Sequence, residues 1–316
     1  MEVGIVVKST GSLYTVESTN GTIFACRIIG KFRLGTHKLT NPVAVGDVVE
    51  FEHDHEEGTG IIKKIRPRNN YVVRQSPRKK HFLHLLASNI DQAMLITTIA
   101  HPSLKPAFID RFLLMTEPFD IPTCIVLNKV DIYEEEDLEI MEGLKMIYEE
   151  IGYKVIIASA VSGYGQDELK KALKGKKTLL AGQSGVGKSS LINMIDPELE
   201  LRTGEISDYT GKGQHTTTFA EMFELEFGGK IIDTPGIKTL SFNYLEPLDV
   251  AHNFKEMFKA SKGCKFGGDC KHRDEPNCAV KDGLETGLIN ELRYLNYLSI
   301  LEEVEDQNYW ERHSKV

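Results

Sequence analysis

Gly182-Gln183-Ser184-Gly185-Val186-Gly187-Lys188-Ser189 has the spacing G-x-x-x-x-G-K-[ST], and each part of that pattern does something to a phosphate. Glycines at 182, 185 and 187 let the backbone turn tightly and aim successive N–H groups at phosphate oxygens. Lys188 is placed to bridge the β- and γ-phosphates and the Ser189 hydroxyl to ligate Mg2+. The helix that follows, through Ser190, adds its positive end. Lys188 and Ser189 therefore count as catalytic as well as binding residues. Asp233-Thr234-Pro235-Gly236 fits D-x-x-G: Asp233 holds Mg2+ through water and the Gly236 N–H touches the γ-phosphate. Between the two lies Gly213-Gln214-His215-Thr216-Thr217-Thr218, a first switch in which one of Thr216, Thr217 and Thr218 completes the Mg2+ shell. Spacing does not choose among the three.

A second constellation reads a base. Asn128-Lys129-Val130-Asp131 follows the apolar run Thr123–Leu127. Asp131 can accept paired hydrogen bonds from guanine N1–H and N2–H2, a donor pair that adenine lacks. Asn128 supports the loop and meets the purine edge, while the Lys129 stem covers its face. Ser159-Ala160 supplies a further loop, its Ala160 N–H directed at guanine O6. An acceptor pair left unsatisfied by adenine discriminates against ATP. An ordinary GTPase runs phosphate loop, switch, D-x-x-G, N-K-x-D, S-A; here N-K-x-D and S-A come first. A parallel sheet tolerates such a rotation when the old termini lie close and the cut falls in a surface connection. The segment after D-x-x-G then leads straight into the C-terminal part, a short tether for the γ-phosphate state.

Cys264, Cys270, His272 and Cys278 fall within fifteen residues, with Gly267, Gly268 and Pro276 allowing the turns. Three thiolates and an imidazole form a closed tetrahedral set with no position left for water, which favours structural Zn2+ over a catalytic metal. Cys26 and Cys124 stand alone in apolar runs, so an odd total of five cysteines argues for metal rather than disulfides. From Lys63 to Lys80 the chain carries Lys63, Lys64, Arg66, Arg68, Arg74, Arg78, Lys79 and Lys80 without an acidic residue. Such a run is either an RNA-binding phosphate stripe or a solvated linker.

The elements that position these groups follow from patterning. Residues 1–70 alternate in short runs (Leu13–Glu17, Thr22–Arg27, Val48–Glu52, Gly60–Ile65), as in a small OB-like barrel. From 71 to 243, buried-strand runs (Ala93–Ile99, Thr123–Leu127, Val155–Ala158, Thr178–Ala181, Lys230–Ile232) alternate with helical periods at Phe108–Met115, Glu136–Ile151, Gln166–Leu173 and Ser189–Ile195. That texture is α/β with a mostly parallel sheet. Residues 244–316 read as helices around the cysteine loop, ending in a helix over Gly287–Glu303 and a polar, fraying tail. The 316 residues hold 38 basic and 46 acidic side chains, a net charge of −8, and are 41% hydrophobic. That excludes disordered, collagenous and disulfide-scaffold classes. No apolar run reaches membrane-span length, so a cytoplasmic protein with no membrane partner is expected.

The chain resembles the RsgA (YjeQ) family of circularly permuted GTPases along its whole length. The resemblance is carried by the barrel, the rotated motifs with G-Q-S-G-V-G-K-S-S and H-T-T-T, H-x-x-E-P-x-C (His272 to Cys278) and E-L-R-Y-L-N-Y (Glu291–Tyr297). It implies a multidomain fold: an N-terminal all-β OB-fold barrel (1–70) that binds RNA, a central α/β circularly permuted P-loop GTPase (71–243), and a C-terminal mainly helical zinc-binding domain (244–316). It also implies a monomer that cycles between GTP and GDP and binds the 30S ribosomal subunit and its rRNA. The subunit would stimulate hydrolysis and so promote release. Where Ras-like proteins carry a catalytic glutamine this chain has Ile237, which cannot orient water, so unaided turnover is expected to be slow. By the resemblance, His215 takes that role. The rival reading is a GTP-gated RNA-binding module whose turnover is incidental.

Overall fold

Five strands close the N-terminal barrel: β1 (Glu2–Ser9), β2 (Tyr14–Ser18), β3 (Ile23–Ile28), β4 (Val48–His53) and β5 (Thr59–Ile65). They pair in the order β1-β2-β3-β5-β4, and β4 returns to β1. Alternation drives the closure: Val6, Tyr14, Val16, Cys26, Val49, Phe51 and Ile62 fill the interior. Gly60 is needed where strands crowd, because a Cβ there would lie 2.6 Å from Cys26 Sγ. The computed structural model describes residues 1–29, 39–53, 59–75, 82–105, 107–199, 201, 220–234, 240, 242 and 244–313, with side chains of the last helix up to Asp306. The sequence pattern anticipates β2 to β5 and misses β1, whose half-buried outer face blurs the alternation.

Residues 71–88 are not α/β as the sequence texture suggests. They form an antiparallel pair, β6 (Tyr71–Gln75) with β7 (Leu83–Ser88). The stretch just before it, within the run that could read as a solvated linker, is riveted down. Arg68 grips Asp47 through Nε at 2.7 Å and through a terminal nitrogen at 2.7 Å, and Asn70 makes paired bonds to the Ile90 backbone at 2.8 and 2.9 Å.

The GTPase sheet runs β10 (Lys154–Ile157), β9 (Thr123–Leu127), β8 (Gln92–Thr97), β11 (Lys177–Gly182), β13 (Lys230–Asp233) and β12 (Glu221–Glu224). All pairings are parallel except that of β12 with β13. Strands β8 and β9 are buried at every position, as a sheet covered on both faces requires. Helices α1 (Phe108–Thr116), α2 (Glu135–Ile151), α3 (Gln166–Leu173) and α4 (Lys188–Ile195) supply the cover. Strand β12 also pairs with β1, so barrel and GTPase share one sheet; Lys8 and Glu221 face each other in that register and form a 2.8 Å ion pair.

The C-terminal part contains α5 (Pro247–His252), α6 (Lys255–Ser261), α7 (Ala279–Glu285) and α8 (Glu291–His313). Helix α8 begins four residues later than the periodicity suggests and continues ten beyond Glu303, helical through the tail that reads as fraying. One apolar cluster extends from Val45 and Val72 through α1 and the sheet to Tyr297, Ile300 and Val304 on α8. Among the described residues no helix is long and apolar enough to cross a membrane.

Candidate nucleotide and metal sites

The phosphate loop sits where β11 ends and α4 begins, in the middle of the sheet. Gly185 and Gly187 have φ of 83° and 87°, the left-handed region that glycine enters freely. Gly182 is needed for space, since a Cβ there would lie 2.5 Å from the Ile96 carbonyl. Val186 is buried; Gln183, Lys188 and Ser189 are half-buried and Ser184 and Ser190 exposed. Lys188 Nζ contacts Asp233 Oδ1 at the end of β13, so strand pairing delivers the D-x-x-G carboxylate to the lysine. Thr234 donates to the Leu180 carbonyl at 3.1 Å and fixes the chain just past that carboxylate.

The base-reading loop abuts this one. Asn128 Nδ2 donates to the Val186 carbonyl at 2.7 Å, and a Cβ on Gly187 would stand 2.5 Å from the same nitrogen. The two motifs, 54 residues apart at their first positions, therefore form one seam. Asn128 Oδ1 is buried with no hydrogen-bond partner among the described residues, an orphaned acceptor on that seam. Lys129, at φ 69°, donates to the His101 carbonyl at 2.6 Å. The exposed Asp131 carboxylate accepts from the Ser159 hydroxyl, which in turn accepts from the Val161 and Ser162 N–H groups at 3.2 and 3.0 Å. Ala160, half-buried, follows directly. Tyr133 is a residue the motif reading misses: its hydroxyl donates to the Asn128 carbonyl at 2.7 Å and accepts from Ile99 N–H at 2.8 Å. Burial raises its pKa and keeps the phenol protonated as that donor. Its position two residues after Asp131 is the one signal the sequence offers.

His215, Thr216, Thr217, Thr218 and Gly236 lie outside the described residues, as do Arg78, Lys79 and Lys80. Three of the remaining basic residues are matched by nearby acids. Lys63 pairs with Glu52 at 2.8 Å, Arg66 with Glu50 at 3.1 Å and Arg68 with the buried Asp47. Arg68 thus has its guanidinium committed inside the protein, while Lys64 is exposed. Arg74 is half-buried on β6, and burial lowers its pKa.

Cys264, Cys270, His272 and Cys278 are all buried, with their ligand atoms within 4.8 Å of one another. The sulfur–sulfur distances from Cys278 to Cys264 and to Cys270 are 3.9 Å, and His272 Nδ1 lies 3.5 Å from Cys278 Sγ and 3.7 Å from Cys264 Sγ. Tetrahedral zinc with bonds of about 2.3 Å to sulfur needs edges of roughly 3.8 Å, so the set fits the ion. The five residues between Cys264 and Cys270 are taken up by a short turn over Gly267–Asp269, with Gly267 at φ 51°. Helix α8 holds the knuckle: Tyr294 and Tyr297 donate to the His272 and Lys271 carbonyls, both at 2.6 Å, and Glu305 pairs with Lys271 and Arg273 at 2.9 and 2.7 Å. The same helix crosses to the GTPase. Arg293, 1% exposed, contacts Asp110 on α1 and meets Glu256 on α6 at 2.8 Å; Asn296 reaches Asp110 at 2.5 Å and Tyr148 reaches it at 2.6 Å. Burial works against the Arg293 charge, but Asp110 and Glu256 overcompensate and hold its pKa well above the ordinary value.

Comparison with known proteins follows the same outline. The RsgA GTPase family model matches residues 65–243, and that of the RsgA N-terminal domain residues 3–62. A small ribosomal subunit biogenesis GTPase RsgA from Phocaeicola vulgatus is 49% identical over 306 residues, covering 97% of this chain and 98% of the relative. One from Flavobacterium psychrophilum is 48% identical, covering 97% and 94%. Among solved structures, YjeQ from Thermotoga maritima superposes with a TM-score of 0.76 at 38% identity, covering 96% of this chain and 98% of that one. YloQ, a circularly permuted GTPase, gives 0.71 at 30%, covering 97% and 96%.

Proposed function

Because the chain belongs to the RsgA family of circularly permuted GTPases, we propose that it hydrolyses GTP as a switch in small ribosomal subunit biogenesis. In this reading it grips the 30S subunit and its rRNA with GTP bound and leaves after hydrolysis, acting in the cytoplasm as a monomer. One observation carries the enzymatic part: Asn128 bonded to Val186 joins the base-reading and phosphate motifs into one cleft that also holds Lys188 against Asp233.

Lys188 exchanges Asp233 for the β- and γ-phosphates, and the amides of the phosphate loop hold the remaining oxygens. Asp131, steadied by Ser159, accepts from guanine, while Asn128, Lys129 and Ala160 close around the base. Mg2+, when bound, neutralises charge that develops on the transferred phosphoryl group; Ser189, Asp233 and one of Thr216, Thr217 and Thr218 would hold it. His215 orients the attacking water in place of the missing glutamine. Cys264, Cys270, His272 and Cys278 would hold one structural Zn2+, which fixes the knuckle on α8. Rather than a free row of charges, the described part of the run offers Lys64 beside the paired Lys63 and Arg66, with Arg74 on β6; Arg78, Lys79 and Lys80 would add to it. Phosphate contacts of this kind weaken with salt.

The test is GTP hydrolysis by the purified protein alone, with 30S subunits, and with 50S subunits as control. Slow unaided turnover that rises many-fold with 30S only supports the switch. GTP-dependent binding to 30S without acceleration favours the non-hydrolysing module, the reading that Ile237 keeps in play. His215→Ala should lower the stimulated rate and spare GTP affinity; an unchanged stimulated rate removes His215 from the mechanism.

A further inference from the structure

Arg111 on α1 belongs to none of the motifs, yet it stands where the backbone leaves D-x-x-G. Leu240 is the seventh residue after Asp233, and one terminal nitrogen of Arg111 donates to the Leu240 carbonyl at 3.1 Å. The other terminal nitrogen contacts the Glu303 carboxylate on α8. The guanidinium carbon lies 5.9 Å from the centre of the Phe242 ring, and Leu240 and Phe242 are both buried. The Arg111 side chain is itself only 20% exposed. Its neighbour Asp110 binds Arg293 and Asn296 of α8, so consecutive residues of α1 hold α8 at two places, Glu303 lying seven to ten residues beyond Asn296 and Arg293.

We propose that Arg111 is a positioning residue of the nucleotide cycle, tying the chain that leaves D-x-x-G to the C-terminal helix. The relative affinity for GTP and GDP and the placement of α8 then depend on each other. This rests on the GTPase reading above. A guanidinium suits the task because its planar fork serves a carbonyl and a carboxylate at once, where an ammonium has no fixed second donor. A rearrangement at Asp233 that pulls on Leu240 must carry Arg111 with it or break a partly buried bond. By linkage, anything that shifts α8, a partner on the zinc knuckle included, changes the nucleotide preference by the same factor. A packing staple at this position would alter stability and leave that preference alone.

The experiment titrates the full chain with fluorescently labelled GDP and with a non-hydrolysable GTP analogue, comparing the parent protein with Arg111→Ala, Arg111→Lys and Glu303→Gln. Hydrogen exchange of α8 is followed in both nucleotide states. In Arg111→Ala the ratio of analogue to GDP affinity should fall by about fivefold or more, with GDP affinity held within about twofold and zinc content unchanged. Glu303→Gln should move the ratio in the same direction by less, and Arg111→Lys should lie between. The parent α8 should exchange at different rates in the two states, and that difference should vanish in Arg111→Ala. An unchanged ratio in Arg111→Lys and Glu303→Gln overturns the proposal even if Arg111→Ala fails to fold. A parent whose α8 exchanges at the same rate in both nucleotide states also overturns it. A parent that binds neither removes the GTPase reading first and the coupling with it, a result distinct from intact binding with an unmoved ratio.

Discussion

In the proposed function Asp131 discriminates with a single carboxylate, steadied by the Ser159 hydroxyl, so base selectivity would hang on the chemistry of one atom pair. Asp131→Asn replaces an acceptor by a donor opposite guanine N2–H2. GTP affinity should drop by about 1.5–3 kcal/mol, roughly 10- to 150-fold, as expected for losing charge-assisted bonds. A purine with a carbonyl at C2, xanthine, matches the new donor, and competition between xanthosine and guanosine triphosphates should show the preference reversed. Lys188→Ala removes the phosphate cation and leaves Asp233 without its present partner. Turnover should fall on the order of a hundredfold or more, while the guanine preference survives in whatever binding remains. Such candidates are legible from sequence because the phosphate and guanine motifs impose local spacing. Arg111, Asp110 and Arg293 are not, since the contacts that give them a role span 129 to 192 residues and no periodicity links such positions. Arg68 shows the same limit. In sequence it is one charge in a basic run, and only the fold brings Asp47 beneath it.

Among the elements, the β6–β7 hairpin carries a titratable group that stability should report. Burial, helped by the Arg74 charge, pushes the His84 pKa down to about 4. In the unfolded chain His84 takes up a proton near its ordinary value, so the unfolded state gains protons first as pH falls. Stability supplied by the neutral imidazole is complete above about pH 6.5 and drains away towards about pH 4, a loss of at most about 3 kcal/mol. Denaturant unfolding across that range should show the slope, and His84→Gln should flatten it. The zinc knuckle makes a second case. Burial raises the Cys278 thiol and pushes Cys270 up to about 12, so loading the metal displaces protons and zinc affinity should climb with pH. Metal analysis should find one zinc per chain, and a chelator should lower the melting temperature by loosening the knuckle that Tyr294 and Tyr297 hold. The hairpin itself escapes the sequence reading because its two strands are short and only part of β7 is buried, so their apolar residues show no regular alternation.

In the molecule as a whole, two of the joints between the three sequence segments stand out. The first is the strand pairing of β1 with β12; the second is the buried charge cluster of Asp110, Arg293 and Glu256. Asp110→Leu leaves Arg293 buried with half its partners and should cost about 3–5 kcal/mol in denaturant unfolding. Adding Arg293→Met should recover a good part of that loss, because an apolar pair needs no charge balance, whereas a merely additive double variant would show the cluster is not one unit. The strand order has a consequence for manufacture. Strands β10, β9 and β8 complete the base-reading half of the sheet early in translation, but β8 must then wait for β11, its neighbour on the other side. About 80 residues separate the end of β8 from the start of β11, so at ordinary synthesis rates the apolar edge of β8 stays open for roughly 4–16 s after that strand is made, and Asp233 follows later still. In the unrotated order the phosphate loop is made first. Here the base-reading loop is made first, and a growing chain carries a half-built site until Lys188 and then Asp233 have joined it.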